Sequence, residues 1–146
     1  MFSMYIINTD AKSLGNRSPH DKWFKYKKAF SAGDYDRYGK RMMGKLCPGD
    51  VLVMYANKIG AVGIGVVTDF WNKDLVADGQ LVYTCPYEDD EYSIDVDWVG
   101  DFRKRPVSAG DLRESNGNAP LRRAFIRVND FDKMLEMFKE RGFELP

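Results

Sequence analysis

The residues best equipped for chemistry in this chain are aromatic and basic rather than nucleophilic. Three tryptophans, Trp23, Trp71 and Trp98, together with Tyr26 and Tyr55, fall near the ends of candidate elements or beside clusters of lysine and arginine. Rings so placed can stack on a base taken out of a nucleic-acid strand, while neighbouring cations hold its phosphates. Each ring has a competing role in the core. Trp98 lies on the apolar side of an alternating strand, which favours burial. Tyr55 ends a strand and divides evenly between core and ligand. Trp71, in Asp69-Phe70-Trp71-Asn72, follows a glycine-rich strand in a turn expected to be partly exposed. It is the ring best placed for a ligand, with Trp23 on a lysine-rich segment second.

Other chemistries have little support. The single histidine, His20, excludes histidine-rich metal sites, leaves little room for Ser-His-Asp or Cys-His catalysis, and reads as a loop residue. No phosphate-binding loop of the G-x-x-x-x-G-K-S/T type occurs. Gly60, Gly63 and Gly65 lack dinucleotide-binding spacing and a following helix, so they read as places where something packs closely on a strand. Glu88 to Glu91 are more readily a solvated, mutually repelling turn than a cation site. No carboxylate pair presents itself as general acid and base. Lys12 with Asp10 or Asp69 is the pairing an enzyme would use if they converged in the fold. Cys47 and Cys85 form neither a CxxC pair nor a disulfide framework and read as buried thiols in a reducing, cytoplasmic setting. No metal or cofactor is expected.

Twenty-two basic and 22 acidic side chains give a formal charge of zero over 146 residues, but the total conceals segregation. Lys12 to Lys45 carries ten Lys/Arg against three Asp, a net of +7. Phe102 to Arg127 carries seven against two, a net of +5, and Asp69 to Asp101 carries one lysine against ten acids, a net of −9. Basic blocks folded onto one face would suit a phosphate backbone, whereas interleaving with the acidic block would give only ion pairs. An apolar content of 44% excludes disorder and supports one domain over 1–146. No run reaches the roughly 18 to 20 apolar residues of a membrane span, and Met1 to Asn8 is too short for a secretory signal. A soluble, intracellular protein with no membrane partner is expected.

The positioning elements follow from periodicity and turn chemistry. Ser3 to Asn8 predicts a first strand. Trp23, Tyr26 and Phe30, at i, i+3 and i+7, predict a short helix over Lys22 to Phe30 that ends at Gly33. Gly39 to Gly44 is basic and glycine-punctuated. Pro48-Gly49-Asp50 turns into the strand Val51 to Ala56, and Asn57-Lys58 returns the chain as Ile59 to Thr68. A short strand is expected around Leu81 to Cys85, within the acidic connection Asp74 to Glu91. Tyr92 to Val99 alternates cleanly, a proline-marked connection leads to Ala109 to Arg113, and Phe125 to Val128 closes the sheet. A final helix, capped by Asn129 or Asp130 and stopped by Gly142, places Phe131, Met134, Leu135 and Phe138 in the core.

The segments MYIINTDAKSLG, CPGDVLVMYANKIGAVGIGVVTDFW and YSIDVDWVGDFRKRPVSAGDLR, taken in order, resemble the PUA-like superfamily in its EVE and YTH branches. They are similar to its opening strand and loop, its central hairpin, and its later tryptophan-bearing strand. The resemblance implies an α+β fold: a small, twisted, mostly antiparallel β-barrel with flanking helices. It also implies a pocket for a single, often modified base, and no catalysis in that domain. By the same resemblance Trp23 and Trp71 match the base-holding cage of YTH domains, Asn8 and Ser13 sit in the loop that hydrogen-bonds the base edge, and Trp98 is structural. The denser motif set of a true YTH domain is absent, and Asp74 to Glu91 has no obvious counterpart.

The expectation is a non-catalytic module binding DNA or RNA. Trp23, Trp71, Tyr55, Asn8 and Ser13 contact the base, and Lys22, Lys25, Lys28, Arg41, Lys45, Arg103, Lys104 and Arg105 contact the backbone. A small hydrolase or nucleoside-modifying enzyme on the same barrel, and a protein-interaction module, are the alternatives.

Overall fold

Strand-period alternation and the Asn57-Lys58 turn lay down the centre of the sheet. The computed structural model describes residues 2–9, 20–32, 40–72, 91–117 and 125–143. Its elements in chain order are β1 (Met4–Asn8), α1 (His20–Tyr26), β2 (Lys28–Ala32), α2 (Lys40–Lys45), β3 (Val51–Ala56), β4 (Gly60–Val67), β5 (Glu91–Asp101), α3 (Ala109–Ser115), β6 (Phe125–Arg127) and α4 (Phe131–Glu140). The strands form one sheet in the order β2-β5-β4-β3-β1-β6. β1 runs parallel to β3, with Ile6 opposite Val53, and the other neighbours are antiparallel. Register shifts at Met54/Tyr55 and Ile64/Gly65 add local bend. The curled sheet makes half of a barrel, with four helices among the described residues, the expected α+β architecture. No helix among the described residues is long and apolar enough to cross a membrane.

Because side chains alternate across a strand, the sheet buries two separate cores. From β3, Leu52, Met54 and Ala56 enter one, and Val51, Val53 and Tyr55 the other. The first holds Trp23 of α1, Met43 of α2, Phe30 of β2 and the Tyr92-Ile94-Val96 side of β5. The second is closed by Leu112 of α3 and by Met134, Leu135 and Phe138 of α4. The last helix forms as its sequence demands: the Asp130 carboxylate accepts from the Lys133 amide at 3.0 Å, and Gly142 follows at φ 92°.

Three local expectations are corrected. The helix predicted over Lys22 to Phe30 stops at Tyr26, because Lys27 takes the left-handed conformation (φ 53°) and Lys28 onward pairs with β5, Lys28 facing Asp95. A ladder over five residues outweighs the helical spacing. The glycine-punctuated stretch before Pro48, to which the sequence pattern assigned no element, contains α2, with Met43 and Leu46 buried. His20 is not a loop residue: it opens α1 and is buried. Cys47 is exposed rather than buried. Gly33, Cys85 and the strand expected at Leu81 to Cys85 lie outside the described residues.

Candidate functional site

The first core is lined by rings because three elements deliver them to one side of the sheet. α1 turns Trp23 inward to full burial and leaves Phe24 half-buried. β2 adds Phe30, and β5 adds Tyr92 and Trp98. Trp23 lies 6.2 Å from Phe30 and 6.0 Å from Trp98 between ring centroids, and Phe24 lies 6.0 Å from Trp98. Glycines on β4 make room for this layer, as their pattern implied. A Cβ at Gly63 would sit 2.8 Å from the Phe24 ring, and one at Gly65 would sit 2.6 Å from the Asp97 carbonyl oxygen and 2.8 Å from the Trp98 ring.

Trp71 joins the same core from the segment after β4. Its ring meets Tyr92 edge-on, at 5.8 Å and 89°. The turn does expose an aromatic residue, but it is Phe70, at 71% exposure, while Trp71 is half-buried. The indole nitrogens differ. Trp98 Nε1 donates to the Lys28 carbonyl at 3.0 Å. Among the described residues, the buried Nε1 groups of Trp23 and Trp71 have no acceptor. Trp23 and Trp71 are thus brought to one core, each flanked by other rings.

The remaining candidates separate. Tyr55 is buried in the opposite core, across the sheet from the tryptophans. Asn8 ends β1, half-buried and in register with Tyr55. Ser13 lies outside the described residues, as do Asp10, Lys12 and the side chain of Arg41. Lys22, Lys25, Lys45, Lys104 and Arg105 are exposed. Lys25 Nζ sits 5.3 Å from the Tyr26 ring centroid. Lys28 is engaged by Asp95 at 2.9 Å.

Arg103 is occupied on every side. Its Nε donates to both Asp101 oxygens, at 3.0 and 3.1 Å, its other nitrogens reach Asp101 and Asp21, and its Cζ lies 4.3 Å from the Phe24 ring centroid. The Arg103 hydrogen bond holds Asp101 below the usual carboxylate range, and Asp101 in turn raises Arg103. This fork ties the β5–α3 connection to α1. Next to it, the Thr9 hydroxyl and His20 Nε2 are hydrogen-bonded at 2.8 Å, which anchors the start of α1 to the end of β1. Burial pushes His20 below its ordinary value, Asp21 opposing and Arg103 adding to the shift. No group of three or more His, Cys, Asp or Glu side chains suited to a metal occurs among the described residues.

By sequence, the chain matches no protein-family model and no curated protein. By structure it has several relatives. A hypothetical protein from Leishmania major superposes with a TM-score of 0.65 at 17% identity, covering 98% of each chain. The YTH domain of Zygosaccharomyces rouxii MRB1, solved in complex with N6-methyladenosine RNA, gives 0.64 at 14% identity over 99% of this chain and 87% of that one. Human THYN1, solved in complex with DNA containing 5-methylcytosine, gives 0.56 at 12% identity over 99% of both. The fold is that of the EVE- and YTH-like domains.

Within this EVE/YTH-like fold, three features escaped the sequence reading. The Thr9–His20 bond joins residues eleven apart whose polar types alone give no cue. Phe70 has no signal in the sequence that sets it apart from its neighbour Trp71 as the exposed ring. Arg103 was taken for a phosphate contact because it lies in a basic run, and only the fold brings Asp21 to it, 82 residues away.

Proposed function

We propose that this EVE/YTH-like domain is a non-catalytic nucleic-acid-binding module that holds a single modified base between Trp23 and Trp71. The observation that carries this reading is the convergence of those two rings, 48 positions apart in the chain, in one aromatic core. It gains weight from a fold shared with proteins solved on methylated RNA and on methylated DNA. Lys22 and Lys25, on the helix that carries Trp23, with Lys104, Arg105, Lys45 and Arg41, hold the phosphates. Lys28 and Arg103 drop out of that role because carboxylates engage them. Tyr55, across the sheet, drops out of the base contact, while Asn8, half-buried at the end of β1, serves the base edge together with Ser13, a residue outside the described ones. A formal charge of zero suits a local contact rather than a long polyanion track.

The test is a titration of short single-stranded RNA and DNA, methylated and unmethylated, at several salt concentrations. One methylated oligonucleotide should bind selectively, and Trp71→Ala should weaken it by about 5- to 150-fold, the range for losing one stacked base. Uniform, salt-insensitive absence of binding across the series would overturn the reading.

A further inference from the structure

Among the described residues, two of the three tryptophans bury their N–H groups without an acceptor, and they are the two that the proposed function uses. Trp98, the structural one, is paired to the Lys28 carbonyl. An indole nitrogen only donates, so a buried, unpaired N–H is a destabilising feature that calls for a missing partner. The two orphans sit in one core and differ in burial. Trp23 is fully enclosed and braced by Phe30 and Trp98, whereas Trp71 is half-buried on a segment leaving the sheet.

An indole N–H also lies in the plane of its ring. One ring therefore cannot stack on a flat base and donate to that same base. If both tryptophans serve one ligand, they must do so differently.

We infer that Trp23 is the specificity-determining donor: its N–H meets an acceptor atom on the inner edge of the base, while Trp71 moves outward to stack on the face of the base and release its own N–H to water. This rests on the base-holding function proposed above. Binding would satisfy both orphans together. Every nucleobase carries a carbonyl or imine acceptor, so what the donor fixes is orientation: the base enters with one such acceptor leading toward Trp23.

The experiment follows the three indole 1H–15N resonances of the 15N-labelled domain, assigned with Trp23→Phe, Trp71→Phe and Trp98→Phe. It is titrated with the methylated oligonucleotide that binds best, chosen from N6-methyladenosine RNA and 5-methylcytosine DNA. At saturation the Trp23 indole proton should move downfield and slow its exchange with water, and the Trp71 proton should exchange faster. Versions of the oligonucleotide in which carbon replaces one ring acceptor at a time should include one that binds about tenfold more weakly and leaves the Trp23 proton unmoved. Saturable binding with the Trp23 proton unmoved throughout would overturn the inference and leave the base-holding function intact. Failure of every oligonucleotide to bind would overturn both.

Discussion

The two faces of the sheet are built from the same strands yet solve different problems. On the α3–α4 face, Met134, Leu135 and Phe138 pack on Val51, Val53 and Ile64, and both helices begin with a side-chain cap. The one unpaired polar atom described there is Asn116 Nδ2, on a side chain whose Oδ1 still accepts from the Asn129 amide at 2.7 Å. On the α1–α2 face, rings crowd in among the aliphatics, glycines thin the strand beneath them, and two indole donors have no acceptor among the described residues. A face built for stability alone would have avoided those donors. The contrast teaches that the α3–α4 face is built to hold the sheet together, while the α1–α2 face carries the unmet donors on which the proposed base-holding role rests.

The sharpest way to separate the faces is to damage the stabilising one. Phe138, fully buried against Phe102 and Phe143, should lose about 3–5 kcal/mol of stability as Phe138→Ala, measured by urea denaturation. The fraction that folds should keep its oligonucleotide affinity. A smaller effect is expected beneath the rings. Gly65→Ala places a methyl against the Asp97 carbonyl oxygen and the Trp98 ring and should cost about 1–3 kcal/mol, with altered tryptophan emission.

Smaller still is the effect of Arg103. Arg103→Ala should leave the salt dependence of binding unchanged, because its charge is already matched by Asp101 and Asp21, whereas Lys104→Ala or Arg105→Ala should reduce the slope of log K against log salt by about 0.7–0.9. The smallest is a pH effect at the root of α1. Burial holds folded His20 below its ordinary value of 6.5, so below that pH the unfolded chain binds a proton that the folded chain resists. Stability should be full above 6.5 and decline as the pH falls toward the lower folded value. His20→Gln should flatten that decline.

Much of this contrast was legible in the sequence where local chemistry decides structure. The VLVMYA strand, the Asn57-Lys58 turn, the alternation from Tyr92 and the capped stripe of α4 each need only neighbours within a few positions. The glycines of β4 announced a close approach without naming Phe24 and Trp98. What stayed hidden depends on distant partners. β2 was read as helix because Trp23, Tyr26 and Phe30 share a helical spacing, and only pairing with β5 makes the segment a strand. Tyr55 and Trp71 were both candidates for the base contact, Trp71 the stronger, and the sheet sends them to opposite faces. Arg103 read as a free cation because Asp21 is far away in the chain.

The most direct test is a map of backbone amide shifts on saturation with the methylated oligonucleotide that binds best. The expected result is a continuous patch over α1, β2, residues 68–72 and the Tyr92 end of β5, with α3 and α4 unmoved. Saturable binding whose largest shifts fall on α3 and α4, with Trp23, Trp71 and Tyr92 silent, would contradict the division of the sheet into a stabilising face and a ligand face.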